Sequence, residues 1–446
     1  CTLSLARDLL LTSTAVLTHD FTTTTTVYRL DITVGGETNI DNTSSINVDS
    51  RGFPLGYTSN GSGGVTAQTG VSGNCGGSHG GQGGCTQTTS VHTPPYDSIF
   101  EPADPGAGAF LTSTGTAGGG YVKLITNHLT IAGIISANST ASAASTGAGG
   151  GIWIIAAGNI NVTGTVRANG GGSVNSFHGA GSGGRVAFKY NASIGSNPTT
   201  AALSAQLQAF GGVPAGVTTT NRGAAGTVYI ENTAVHAAND GVVYVDNNTS
   251  SNTLQFTEMS GSVGDLYVEN AASLLLTTLV VNRDFSLTGS SYVTHSEATT
   301  SSVFRINLTV GGTTTIESGS SINLDGKGFP LGYTSNGLGG VTAQTGVSGN
   351  CGGSHGGQGG CALTTSVHTP PYDSIFEPAD PGAGAHLNST GTAGGGYVKL
   401  TTNHLTLAGT ISANSIASAA STGAGGGIWI IATGNINVTG TVRANG

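Results

Sequence analysis

The sequence predicts an all-β chain folded as a parallel β-helix, a β-solenoid of stacked coils with glycine-rich corner loops. Three observations predict it. Glycine supplies 76 of the 446 residues, while only 8% are charged. The chain repeats itself at a long period. Within that period, a short pattern of small residues followed by alternating apolar ones recurs at near-constant spacing.

The long repeat comes first, because it governs the rest. Residues 1–170 align without a gap on 277–446, an offset of 277 − 1 = 276. The run Gly52-Phe53-Pro54-Leu55-Gly56-Tyr57 returns as Gly328 to Tyr333. From 51 to 170, 109 of 120 positions match; from 1 to 50, 23 match, with conservative exchanges such as Tyr28 for Phe304 and Val48 for Leu324. The first repeat is 1–276, of which 171–276 is seen once. The second, 277–446, matches 1–170.

Composition narrows the class. Low charge with 37% hydrophobic residues argues against a solvated disordered polymer. Glycine lacks the three-residue period of collagen. Abundant Gly, Ser, Thr and Asn disfavour helices. No apolar run reaches the ~18 residues of a membrane helix. A net charge of −9 with 13 Lys and Arg argues against nucleic acid as a partner.

The short pattern supplies the strands. Gly118-Gly119-Gly120-Tyr121-Val122-Lys123-Leu124, Gly149-Gly150-Gly151-Ile152-Trp153-Ile154-Ile155, Ser182-Gly183-Gly184-Arg185-Val186-Ala187-Phe188 and Ala224-Ala225-Gly226-Thr227-Val228-Tyr229-Ile230 start 31, 33 and 42 residues apart. The first three are each followed by a second apolar stretch, such as Leu129-Thr130-Ile131 through Ile135-Ser136-Ala137-Asn138. Alternation at period two reads as strand. Such coils cannot bury their own apolar faces, so they stack at about 4.8 Å. Coils of roughly 25–30 residues would give about ten per period, or about 45–50 Å of stack. The glycines read as left-handed turn residues and as loops at one corner: Ser139 to Gly151, Gly170 to Gly184 and Gly211 to Gly226. An array of β-sandwiches is the competing fold.

Gly76-Gly77-Ser78-His79-Gly80-Gly81-Gln82-Gly83-Gly84, then Glu101-Pro102-Ala103-Asp104-Pro105-Gly106, then the coils above resemble the glycine-rich right-handed parallel β-helix repeats of large secreted surface, adhesin-like and appendage-forming proteins. The resemblance covers most of both repeats. It implies a right-handed parallel β-helix at the cell surface or outside the cell, and no defined activity. The cysteines depart from that pattern.

Cys75 and Cys85 recur as Cys351 and Cys361. A short, repeated pair reads as a disulfide clamping a loose glycine loop. The alternative is zinc held by Cys75, His79, Cys85 and His92. Cys1 stands outside the pairs.

Asp97, Glu101 and Asp104 recur as Asp373, Glu377 and Asp380. Three carboxylates in eight residues suit a Ca²⁺ site with loop carbonyls. They also suit the acid pair of a β-helix glycosidase or lyase, or a proline-stiffened loop whose acids cap turns. Trp153 and Trp429 read as coil-stack packing. Asn42, Asn60, Asn138, Asn191, Asn248, Asn307 and Asn388 stand in glycosylation sequons.

The functional expectation is a non-enzymatic structural subunit of an extracellular filament or appendage, without cofactor. Its partners would be other copies of itself, stacked end to end and laterally, and bound or covalent glycans. An adhesin-like stalk that binds glycans is the alternative, and a polysaccharide-active enzyme is a third reading.

Overall fold

The computed structural model describes residues 2–86, 90–110, 114–174, 177–191, 200–215, 221–249, 255–386, 390–418 and 420–446. These residues are almost all β or extended, with one short helix, Thr200–Ser204. They form two compact units, 1–258 with 263–273, and 259–262 with 274–446.

In the first unit, the predicted strands pair in parallel ladders that also take in strands between residues 2 and 47. One ladder runs Thr2–Leu5, Leu30–Val34, Tyr121–Thr126, Gly151–Ala156, Arg185–Tyr190 and Thr227–Asn232. A second runs Leu9–Leu11, Glu37–Ile40, His128–Ile131 and Ile160–Val162. A third runs Val16–Leu17, Ser45–Asn47, Ile134–Ser136, Thr165–Arg167 and Leu207–Gln208. Register is fixed by apolar residues standing over one another. Ile32, Leu124, Ile154, Phe188 and Ile230 form one column; Ile46, Ile135, Val166 and Leu207 form another. All are buried and belong to one core shared by the three ladders. Each such side chain contributes about 1.5–3 kcal/mol of burial, and a slip of one residue would turn a whole column outward.

The second unit repeats this register. Leu308, Leu400 and Ile430 stand in one column, and Ile322, Ile411 and Val442 in another. Here two strands of the first unit fuse into one, Ile306–Ile316 and Tyr397–Leu407, with a register shift between Val310 and Thr313.

Three expectations need correction. Among the described residues, the first ladder has six rungs as far as Thr227–Asn232, and only Val242–Asp246 and Asp265–Glu269 extend it within the period, short of about ten, because residues 48–120 pass outside it. Pairing is not parallel throughout: Thr227–Asn232 meets Val242–Asp246 antiparallel, as Tyr57–Ser59 meets Val65–Ala67.

The third correction concerns glycine. Positive φ occurs at Gly56, Gly61 and other turn positions, but not at residues 76–84, 118–120 or 147–151. Those segments are buried and packed backbone against backbone, with a bend at residues 79–81. The bonds between neighbouring segments recur every third residue. Thr116 and Gly119 donate to Ser145 and Ala148; Thr146 and Gly149 donate to Gly179 and Ser182; Ala180 and Gly183 donate to Asn221 and Ala224. The amides between point elsewhere: Ala148 N–H reaches Ala107, and Gly150 N–H reaches Ala137. A three-residue period with bonds to several neighbours is the geometry of polyproline-II strands, not of a sheet. A Cβ on Gly119, Gly149 or Gly183 would fall inside the carbonyl oxygen of Ala137, Ala168 or Ala209. Among the described residues, the glycine-rich parts of what reads in sequence as corner loops, such as 147–151 and 179–184, form a second packed layer.

Candidate functional site

The acid loop and the cysteine segment meet at the edge of this layer. Cys75 and Cys85 are disulfide-bonded with Cα atoms 4.2 Å apart, and Cys351 and Cys361 likewise at 4.1 Å. Between Cys75 and Cys85 the chain is held, not loose. Ser78 Oγ accepts from Gly83 N–H, and Gly80 N–H donates to Gly183.

His79 is fully buried. Its Nδ1 lies 2.9 Å from the Gly149 carbonyl and its Nε2 lies 3.3 Å from Asp97 Oδ2. Both neighbours accept, so both ring nitrogens face acceptors. The ring lies against Tyr96, centroids 4.7 Å apart. His355 repeats the arrangement with Gly425 and Asp373.

Asp97 organises the loop. Its backbone is left-handed, φ 73°, and its carboxylate accepts from the amides of Ser98, Ala103 and Asp104. Burial alone would raise its pKa. The hydrogen bond and charge of His79, with the Asp104 amide and Arg185, outweigh burial and hold it below the usual carboxylate range. Tyr96 donates its hydroxyl to Pro105 O at 2.6 Å, and burial followed by the charges of Asp104 and Asp97 pushes its pKa well above 10. Arg185, buried, donates to Tyr96 O and Thr227 Oγ1; desolvation lowers its pKa to about 10.

The other two acids point elsewhere. Asp104 pairs with Arg29 at 2.6 Å and accepts from Ser59 Oγ; Asp380 pairs with Arg305 in the same way. Glu101 is exposed and reaches Lys189 at 3.1 Å; Glu377 is exposed as well. The three carboxylates of the loop therefore serve three partners. Ca²⁺ ligation by Asp97, Glu101 and Asp104 would have to displace His79, Arg29 and Lys189. The same holds at Asp373 and Asp380 for His355 and Arg305.

The zinc alternative meets a similar obstacle. Cys351, Cys361 and His368 bring ligand atoms within 4.8 Å of one another, but both sulfurs are spent in the disulfide. His79, the other expected ligand, turns to Gly149 and Asp97. His92 keeps its Nδ1 3.6 Å from Cys85 Sγ.

Trp153 is half-buried on the outer face of its strand, with Lys123 Nζ 4.0 Å from the ring centre. Trp429 and Lys399 repeat this at 3.9 Å. Since Lys123 pairs in register with Trp153, the contact ties adjacent strands.

Among the sequons, Asn42, Asn60, Asn248 and Asn307 are exposed and Asn191 is half-buried. Asn138 is half-buried and bonded at both amide atoms: Nδ2 donates to Ser136 Oγ, and Oδ1 accepts from Asn169 N–H. Asn169 Oδ1 then accepts from Phe210 N–H, so Asn138 is one rung of a ladder of side chains. A glycan there would leave Nδ2 a single N–H for the Ser136 bond. Asn388 and Cys1 lie outside the described residues.

Sequence reasoning missed Arg29, Lys189, Arg185 and Lys123. One signal was present: Arg29 matches Arg305 inside the 1–50 stretch where fewer than half the positions match. No family model, no curated protein and no solved structure matches this chain. Among the described residues, no helix is long and apolar enough to cross a membrane.

Proposed function

We propose that this chain is a non-enzymatic structural protein, a β-solenoid whose coils stack into part of an extracellular filament or appendage. The observation that carries the reading is the in-phase columns. Ile32, Leu124, Ile154, Phe188 and Ile230 stand in register in the first unit, as Leu308, Leu400 and Ile430 do in the second. Such stacking lets the same coil be added repeatedly, each buried by the next. The loop that holds most of the repeated acids spends Asp97, Asp104, Asp373 and Asp380 on its own architecture. The disulfides suit an oxidising compartment outside the cell.

Electron microscopy and fibre diffraction of the native material test this. Rods or filaments with strand spacing of about 4.8 Å along the axis are expected. Particles without axial strand spacing would overturn the reading.

One feature favours the second reading, a glycan-binding stalk. A cavity of about 520 Å³ in the second unit is lined by Arg305, Asn307, Asp380, Tyr397, Lys399 and Trp429, a mix of ring, cation and amide suited to sugar hydroxyls. Saturable binding on a glycan array, lost in Trp429→Ala, would support it.

A further inference from the structure

The chain has four lysines. Three are partly exposed: Lys123 and Lys399 lie over tryptophan rings, and Lys327 pairs with Glu297. Lys189 differs, because it is buried in the first unit and its ammonium is enclosed by three polar side chains. Its Nζ lies 3.1 Å from Glu101 Oε1, 3.4 Å from Asn239 Oδ1 and 3.7 Å from Glu231 Oε2. The carboxamide carbon of Asn239 is one bond from that Oδ1.

The ladder and the turn that follows it place these groups. Lys189 and Glu231 stand opposite each other on neighbouring parallel strands. After Asn232 the chain turns back: His236 N–H donates to Asn232 O, and Asp240 N–H donates to Ala237 O. Asn239 takes a left-handed backbone, φ 63°. Glu231 Oε2 fixes that turn by accepting Asn239 N–H at 3.1 Å and the Tyr229 hydroxyl at 2.5 Å. The same hydroxyl accepts Gly241 N–H. Tyr229 and Glu231 are buried, with Phe100 edge-on to the Tyr229 ring at 5.0 Å. Burial, followed by the Glu231 bond, pushes the Tyr229 pKa up, so the phenol stays a donor.

An ammonium has no lone pair and leaves a carboxamide untouched. A carboxylate in reach of both supplies the missing base, and fixing the partners side by side removes the entropy of their encounter. We infer that Lys189 and Asn239 join in an isopeptide bond formed by the folded chain itself, with Glu231 as proton relay. Lys189 Nζ bonds to Asn239 Cγ, and the bond from Cγ to Nδ2 breaks. Nζ gives up two of its three protons; both reach Nδ2 by way of the Glu231 carboxylate, and that nitrogen leaves as ammonium. Glu231 ends as it began, and no oxidant, reductant or cofactor enters. The bond joins residues 50 apart. It ties strand Arg185–Tyr190 to the turn before Val242–Asp246, where parallel pairing gives way to antiparallel. The inference stands on the surroundings of Lys189 and not on the filament reading.

Mass spectrometry of the full chain tests this. After allowance for the two disulfides, the intact mass should fall short of the sequence mass by about 17 Da, one ammonia. Trypsin should leave Lys189 uncut and release residues 186–222 joined to 223–283. Lys189→Arg and Asn239→Ala should each restore the full mass. Asn239 is exposed, so its alanine variant keeps the fold and the readout. Asn239→Asp should lose about 18 Da instead, since water then leaves in place of ammonia. Glu231→Gln should slow the link about a hundredfold or more, while circular dichroism shows the strands intact. A wild-type chain of full mass would overturn the inference. So would a link from Lys189 to Glu101 or Glu231, recognised by the loss of water from the wild type, or a link that forms as fast in Glu231→Gln.

Discussion

His79 Nε2 meets the Asp97 carboxylate 3.3 Å away, and 276 residues later His355 meets Asp373 at 3.1 Å. The contact ties the cysteine-clamped glycine segment to the acid loop in each repeat. Asp97→Ala removes the partner of a buried imidazole and frees three loop amides. It should cost about 3 kcal/mol, measured by denaturant unfolding; Asp97→Asn, which keeps an acceptor oxygen, should cost less. Because the folded pKa of Asp97 is depressed, its stabilising contribution is present above the unfolded value of about 3.9 and is lost as pH falls through the folded value.

His295 sets a second acid transition at higher pH. It is buried, donates from Nδ1 to Ser296 O, and accepts Tyr397 N–H at Nε2. A proton on Nε2 would confront that N–H. Burial, partly opposed by the Ser296 bond, lowers its pKa to about 4. A histidine with a lowered folded pKa contributes stability that is full above the unfolded value of about 6.5 and declines towards pH 4, by about 3 kcal/mol in all. His295→Gln should flatten the melting temperature between those pH values. An unchanged slope would refute this assignment.

Equivalent glycines should differ in their tolerance. Gly80→Ala places a Cβ against Gly184 O, while Gly356→Ala places one in open space. The first should destabilise by about 3 kcal/mol or more, as overpacking does. The second should stay within about 0.5 kcal/mol. Thermal unfolding of the two single variants compares them directly.

Replacing Cys75 and Cys85 together by serine should lower stability by about 2–3 kcal/mol. The Cys351 and Cys361 pair should behave alike. Calorimetry with and without reductant would check both, and reductant should leave the serine variants of a given pair unaffected at that pair.

Much of this was legible in the sequence, and the illegible part has a physical cause. The period is self-evident from residues 51–170 and 327–446. The ladder strands follow from alternation, because Val122, Leu124, Ile152 and Ile154 carry side chains whose polarity records which way they face. The cysteine pairing follows from its repetition. The glycine layer left no such record: a residue without a side chain shows no inside or outside, so Gly118 to Gly120 look like turn residues when they are packed strands. The coil count erred because it assumed coils of even length, while residues 48–120 supply no rung of the three ladders. The pairing of Asp104 with Arg29 escaped notice because 75 residues separate them and no local pattern links them.

Main chain resting on main chain also governs which positions can drift. Between residues 51–170 and their counterparts there are 11 differences, and none replaces a glycine. Elsewhere glycine is exchanged: Ser13 (φ 56°) stands where the other repeat has Gly289 (φ 62°), and Ser50 (φ 54°) where it has Gly326 (φ 69°). At those bends a serine can tolerate the left-handed backbone. At glycines such as Gly119, Gly149 and Gly183 a Cβ would meet backbone, so copies of this repeat should diverge first in their strands and turns and last in the glycines that only make room.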